Sequence, residues 1–206
     1  MNAWAGRLYL SLEAQARLGV TDPYSIHRLL LDLIDAERPT GQGTPSGLQW
    51  VDKGQTIYGR RIDFLTVHPV PNVNIAEDVT LQVKPLSADF LNHSQYRFQV
   101  TLNPTISKSV SIHDERGKRV PVVGEEAVAE WVLKRMGARG MDVSITSIDK
   151  QGKDVFYKKN TRFTFVRARV SGILTVTDSD LFRKAFFTGV GSGRAFGYGF
   201  LQIARM

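Results

Sequence analysis

The segment Tyr96-Arg-Phe-Gln-Val-Thr-Leu102 alternates apolar and polar side chains, as a β-strand with one buried face does. Downstream, apolar residues recur at helical spacing over residues 125–136, where acidic residues come first and basic residues such as Arg135 come last, as the helix dipole favours. Strand patterns follow at 143–148 and 162–177, separated by a predicted turn at 150–153, and then a helix pattern at 179–187 and a strand pattern at 200–204. The predicted order of elements is β-α-β-β-α-β.

The upstream half predicts the same order less clearly. A strand pattern at residues 8–12 precedes a helix that opens at Asp22-Pro23, an N-cap acid followed by proline at the first helical position. Strand patterns follow near 48–52, 55–68 and 79–83, and residues 71–76 are a weak candidate for the second helix. We therefore expect an α+β protein of two tandem ferredoxin-like domains, residues 1–93 and 94–206, related by topology and not by sequence repetition.

Composition favours a polyanionic partner. The chain has 206 residues, and its 27 Lys+Arg against 20 Asp+Glu give a formal net charge of +7. It has no cysteine, which excludes disulfides, thiolate nucleophiles and every cysteine-based metal site. The apolar runs are short and interrupted, and the first residues lack the pattern of a signal peptide. We expect a cytoplasmic protein with no membrane span and no small-molecule cofactor.

The segment Gly189-Val-Gly-Ser-Gly-Arg-Ala-Phe-Gly-Tyr-Gly199 is typical of a loop that approaches phosphate, since glycine lets backbone N–H groups come close to an anion and Arg194 adds a planar charged fork. In a dinucleotide fold such glycines follow a strand and open a helix, whereas here they follow a helix and lead into a strand. No Walker sequence occurs either. The candidates Gly191, Gly193 and Arg194 therefore point to a nucleic-acid backbone, with a purely structural turn as the alternative.

His27 has the most informative setting of the four histidines. It lies one position past the buried stripe of the first long helix, with Tyr24 three residues earlier on the same edge. An imidazole there could accept or donate a proton at neutral pH, although a partly buried structural histidine remains the alternative. The histidines are far apart in sequence and match no short metal signature, so no metal site is expected.

Five segments together resemble the CasE family of CRISPR repeat-processing endoribonucleases of type I-E systems. The resemblance runs nearly end to end, is weakest over residues 40–94, and is most specific in the Gly-rich segment. The matching segments are Asp22 to His27, Tyr96 to Pro104, Lys118-Arg-Val-Pro121, Gly172 to Asp178 and Gly189 to Leu201.

The resemblance implies a tandem ferredoxin-like protein that binds the hairpin of each CRISPR repeat in precursor RNA and cuts at its 3′ base. Cleavage in that family needs no metal, since the ribose 2′-OH attacks the adjacent phosphate and leaves a 2′,3′-cyclic phosphate and a 5′-OH. By motif, His27 is the expected general acid or base and Tyr24 the group that positions or assists it. The family also implies that the product RNA stays bound within a multisubunit complex.

Binding of A-form RNA depends on shape and backbone contacts, for which basic loops are suited. The candidates for RNA binding, besides the Gly-rich loop, are Lys108, Lys118, Arg119, Lys158, Lys159 and Arg162. A non-catalytic subunit that only binds the RNA hairpin is the alternative to the enzyme.

Overall fold

The computed structural model describes residues 2–34, 46–71, 76–108, 118–158 and 161–206. Its first half contains a four-stranded antiparallel sheet in the order β2-β3-β1-β4. Two helices lie between the first and second strands of this half. The elements are β1 (Trp4–Leu10), α1 (Leu12–Arg17), α2 (Pro23–Leu33), β2 (Leu48–Thr56), β3 (Gly59–Thr66) and β4 (Val79–Pro85).

A hydrophobic core lies between α2 and one face of the first sheet. Ile26 and Leu30 of α2 pack with Leu8, Leu10 and Phe64 of the sheet, and all five are buried. The helix predicted from Asp22-Pro23 is therefore confirmed. The weak helix candidate at 71–76 lies largely outside the described residues, and the described residues beside it, 67–71 and 76–78, are not helical.

The second half repeats the arrangement, with its sheet in the order β10-β5-β9-β8. In both sheets the first and third strands are central and the second and fourth are at the edges, which is the ferredoxin-like order. The elements are β5 (Gln95–Leu102), β6 (Thr105–Lys108), β7 (Lys118–Pro121), α3 (Glu125–Gly137), β8 (Met141–Lys158), β9 (Thr161–Val176), α4 (Ser179–Thr188) and β10 (Gln202–Arg205). The predicted α+β fold of two ferredoxin-like domains is thus confirmed. The boundary after residue 93, between β4 and β5, stays a prediction.

One predicted turn is wrong. Residues 150–153 do not close a hairpin, because β8 continues through them to Lys158 with a shift in pairing register. The backbone accommodates the shift at a bulge in which Gly152 has a φ of 86°. Since β5 pairs with β9 only from Ala168 onward, the part of the β8–β9 hairpin beyond the bulge extends past the rest of the sheet.

The two halves are joined by buried polar and apolar contacts. The buried Gln49 side chain donates to the Phe186 carbonyl at 2.6 Å. Lys53 Nζ donates to Gln99 Oε1 at 2.6 Å and to Gln202 Oε1 at 2.7 Å, which links the face of the first sheet that carries no helix to β5 and β10. Val51 and Leu65 belong to the same core as the second sheet. Among the described residues, no helix is long and apolar enough to cross a membrane.

Candidate nucleic-acid interface

The N-terminus of α2 is fixed by a reciprocal cap. Asp22 Oδ1 accepts from the Ser25 N–H at 2.7 Å, and Ser25 Oγ accepts from the Asp22 N–H at 3.0 Å. Pro23 occupies the first helical position, where its missing N–H costs nothing. The cap sets the start of the helix and therefore the direction in which its first turns present their side chains.

Tyr24 and His27 lie on the first two turns of α2, and both are half-buried. Between them, Ile26 is fully buried in the core of the first domain, so the register of the helix is fixed. The His27 side chain is partly exposed while its Nδ1 atom is buried, which is compatible with a proton-transfer role and with a partly buried structural histidine. Tyr24 and His27 both belong to α2, as predicted, and residues three positions apart lie on the same side of a helix.

The Gly-rich loop, residues 189–199, is a compact hydrogen-bonded segment. The Val190 N–H donates to the Gly199 carbonyl at 2.8 Å, and the Gly199 N–H donates to the Thr101 carbonyl of β5 at 2.7 Å. Gly193 precedes a 3₁₀ turn at Arg194–Phe196, and the exposed Arg194 Nη1 donates to the Thr188 carbonyl at 2.7 Å. Gly197 has a φ of 82°, and a Cβ there would lie 2.8 Å from the ring of Trp50. This glycine therefore serves packing, whereas Gly191 lies at the partly exposed end of the loop.

Folding brings α2 and the Gly-rich loop together. The 3₁₀ turn packs against α2 and also contacts β2. A cavity of about 360 Å³ opens beside this contact, between the Asp22-Pro23 end of α2 and the β8–β9 hairpin, and basic side chains of the hairpin reach it. Lys153, Arg167 and Arg169 are these basic residues, and the sequence predicted none of them as site residues. Carboxylates of Asp22, Asp52 and Asp154 line the same cavity, and Tyr24 and His27 are not among its lining residues.

A partly buried hydrogen-bond network connects the Gly-rich loop to the hairpin. The Tyr198 hydroxyl donates to Asp154 Oδ2, and Arg167 Nε donates to the same oxygen at 2.8 Å. Burial, together with the carboxylate of Asp154, raises the pKa of Tyr198 well above its ordinary value, so the hydroxyl keeps its proton as a donor. The network consequently fixes Tyr198 of the loop against the β8–β9 hairpin.

The β8–β9 hairpin carries three of the predicted RNA-binding residues near its tip. Lys158 pairs through its backbone with Thr161, Arg162 is exposed opposite Tyr157, and Lys159 lies outside the described residues. Tyr157 is 61 % exposed, as a ring available for base stacking would be. Closer to the sheet, Phe156 packs on Phe196 of the 3₁₀ turn with ring centroids 4.5 Å apart, which supports the projecting hairpin.

The short β6–β7 hairpin carries the remaining predicted basic residues. Lys108 and Lys118 are opposite each other at the end where residues 109–117 connect the two strands, and Arg119 is exposed. Residues 109–117 themselves lie outside the described part of the chain. Arg119 lines a small cavity together with Arg135 and Arg139, from the end of α3 and just beyond it. The sequence assigns Arg135 only to the helix dipole and does not single out Arg139. Gly191, which lines the same cavity, is remote from them in sequence.

No group of three or more His, Cys, Asp or Glu side chains within the described ranges is arranged to hold a metal ion. The helix that packs against the Gly-rich loop carries an imidazole, His27, and a phenol, Tyr24, and cations of the β8–β9 hairpin line the neighbouring cavity. Such groups can transfer protons and stabilise a phosphoryl anion.

Comparison with known proteins gives a family and a fold. A family model described as "CRISPR associated protein" matches residues 4–205. No curated protein shows significant similarity to the chain.

Among solved structures, the chain is similar to Thermus thermophilus Cse3 bound to an RNA representing a pre-cleavage complex, with 20 % identity, all of both chains covered and a TM-score of 0.79. It is similar to Cas6e from Escherichia coli K-12, with 16 % identity, 98 % of this chain and 100 % of that chain covered and a TM-score of 0.68. A chain of a CRISPR RNA-guided surveillance complex matches with 21 % identity, 98 % and 100 % coverage and a TM-score of 0.74. At these identities the similarity establishes the fold.

Proposed function

The chain belongs to the family of CRISPR-associated proteins, and on this premise we propose that it is a metal-independent endoribonuclease. It binds the repeat hairpin of CRISPR precursor RNA and cleaves at the 3′ base of the hairpin. The product is mature guide RNA, which the protein retains as a subunit of a surveillance complex. Its proposed place of action is the cytoplasm, where the precursor transcript is found.

One observation carries the proposal: the helix that carries His27 and Tyr24 packs against the Gly-rich loop, beside a cavity that Lys153, Arg167 and Arg169 of the β8–β9 hairpin line. A strand of RNA that follows the Gly-rich loop therefore passes close to α2. The similarity to Cse3 structures that contain RNA supports this placement of the substrate, since the fold covers the whole of both chains.

The chemistry needs two proton transfers. The attacking 2′-OH must lose a proton and the departing 5′-oxygen must gain one, and a well-placed side chain contributes about 10²- to 10⁴-fold to each. His27 performs one of these transfers as general base or general acid, and Tyr24 positions it or assists it. Negative charge that develops on the phosphoryl oxygens is stabilised by the Gly-rich loop and by Arg194.

We assign binding of the RNA stem to residues other than those assigned to catalysis. The projecting β8–β9 hairpin, with Lys158, Lys159 and Arg162, contacts the backbone of the RNA stem, and the β6–β7 hairpin, with Lys108, Lys118 and Arg119, extends the same basic surface. These contacts recognise A-form shape more than base sequence. The similarity to a chain of a surveillance complex supports retention of the protein on its product, with other subunits as partners.

The decisive experiment is incubation of the purified protein with a repeat-hairpin RNA in the presence of EDTA. We expect cleavage at the 3′ base of the stem, a 5′-OH on one fragment and a 2′,3′-cyclic phosphate on the other, detected by mass spectrometry and by resistance of the 3′ end to ligation. Tight hairpin binding without cleavage under any divalent-ion condition would instead support a non-catalytic subunit. Cleavage that requires Mg²⁺ would contradict the metal-independent chemistry.

Replacement of both Lys158 and Lys159 by glutamine is expected to weaken hairpin binding and to reduce its salt dependence. The slope of log K against log salt concentration is negative, and each lost phosphate contact reduces its magnitude by about 0.7 to 0.9. The measurement is a series of binding curves between low and moderate salt, with thermal unfolding as the control for folding. An unchanged slope would mean that both lysines point away from the RNA.

A further inference from the structure

Three guanidinium groups converge on one cavity of about 280 Å³ in the second domain. Arg119 comes from β7, Arg135 from the last turn of α3 and Arg139 from the residues just after that helix. Gly191 and Ser192 of the Gly-rich loop also line it. We call this cavity the arginine pocket.

Two of the three arginines are held in place by neighbouring groups. The Arg135 guanidinium lies over the ring of Trp131 at 4.9 Å from the centroid, and the Trp131 Nε1–H donates to the Thr105 carbonyl at 3.1 Å. Arg139 Nη1 donates to the Arg135 carbonyl at 2.9 Å. Each side chain is fixed before any ligand arrives, which reduces the entropy lost on binding.

The positive charge of the pocket is not neutralised within the described residues. The ion pairs there join other arginines to aspartates, and none involves Arg119, Arg135 or Arg139. Burial, followed by the charges of Arg135 and Arg194, lowers the pKa of Arg139 below its ordinary value. Like charges gathered in a partly desolvated site repel one another, and an anion in the pocket would relieve that repulsion.

We propose that the arginine pocket binds a single phosphate group of the RNA strand and so fixes the register in which the strand passes α2. This inference rests on the proposed function. Guanidinium forks match the geometry of phosphate oxygens and bind them bidentately, which suits one defined phosphate better than a diffuse polyanion. The Gly-rich loop connects the pocket to catalysis, because Ser192 lines the pocket and the 3₁₀ turn that begins two residues later contacts α2.

The test compares Arg139→Gln with Lys134→Gln. Both changes remove one positive charge at the same end of α3, but Lys134 is exposed and does not line the pocket. We expect Arg139→Gln to weaken hairpin affinity by about 10- to 100-fold and Lys134→Gln to change it by much less. Arg135→Gln provides a second pocket variant, and thermal unfolding of all three identifies any loss that comes from misfolding.

A set of hairpin RNAs that each carry one neutral methylphosphonate then locates the phosphate. In the wild-type protein and in Lys134→Gln, one position near the cleavage site is expected to reduce affinity strongly. In Arg139→Gln and Arg135→Gln, the same position is expected to have little further effect, because its partner is already lost. If the methylphosphonate scan gives the same affinity profile in all four proteins, the proposed binding of phosphate by the arginine pocket is wrong. The endoribonuclease proposal would not be affected by that result.

Two further outcomes separate the remaining explanations. If titration with inorganic phosphate alone depends on Arg139, while RNA affinity of Arg139→Gln equals that of the Lys134→Gln control, the pocket is a site for free phosphate and the RNA assignment is wrong. If the wild-type protein fails to bind the hairpin at all, the proposed function and the pocket assignment both fall. If the hairpin binds but is not cleaved, the proposed endoribonuclease activity is wrong. The methylphosphonate scan then still decides whether the arginine pocket binds a phosphate of the RNA.

Discussion

Replacing His27 by alanine is expected to lower the rate of RNA cleavage at saturating protein by at least about 10²-fold, and by up to about 10⁴-fold. The change removes a proton-transfer group from α2 and leaves the Gly-rich loop and the basic hairpins in place. Hairpin affinity is therefore expected to stay close to that of the wild-type protein. Single-turnover cleavage and equilibrium binding, measured on the same RNA, separate the two effects.

His93→Ala is the matched control. His93 is an exposed histidine that precedes β5, whereas the Gly-rich loop is bonded to the opposite end of that strand at Thr101. We expect normal cleavage by this variant.

Tyr24→Phe resolves the role of the phenol. A loss of cleavage rate as large as that of His27→Ala would make Tyr24 a proton-transfer partner, and a smaller loss would make it a positioning residue. A large fall in affinity on replacing His27 would contradict the division between binding and catalysis.

Replacing Trp50 by alanine is expected to lower the free energy of unfolding by about 3 to 5 kcal/mol. Trp50 is only 1 % exposed, packs in the core beneath α2 and closely approaches Gly197 of the Gly-rich loop. Alanine would leave a cavity at the point where the first domain supports both α2 and the loop. Since a domain of ordinary stability has about 5 to 15 kcal/mol in total, the variant should unfold at much lower urea concentration.

Tyr58→Ala provides the comparison for Trp50, because Tyr58 is an aromatic residue of the same sheet that is 72 % exposed at the β2–β3 turn. Its effect on stability is expected to stay within about 1 kcal/mol. Urea unfolding followed by circular dichroism measures both variants. Equal midpoints would mean that the protein closes the space left by Trp50 without cost.

The fold could be predicted from the sequence because its local patterns agree with the tertiary structure. The cap at Asp22, the apolar stripe of α2 and the alternation in β5 each correspond to a confirmed element. The turn predicted at 150–153 failed for a physical reason. A glycine flanked by polar residues has the same local signature in a tight turn and in a bulge, and only pairing with β9 decides between them.

The candidate site could be predicted only in part. His27 and Tyr24 could be proposed from one helix and from the resemblance to the CasE family, since their relation depends on residues three positions apart; their roles stay a prediction. The arginine pocket could not be identified in this way, because Arg119, Arg135 and Gly191 come from three separate segments and meet only in the folded chain. The helix dipole alone accounts for basic residues at the end of α3, so the sequence gives no reason to assign them a second role in binding.

The contacts of Gln49 and Lys53 across the two domains have a consequence for the length of the RNA product. A joint held by at least partly buried hydrogen bonds and a shared core does not bend freely, so we expect the distance from α2 to the described part of the β8–β9 hairpin to stay nearly constant. On the proposed function, the scissile bond is then selected by its distance from the gripped stem. Guides made from different spacers would accordingly all end at the same nucleotide of the repeat.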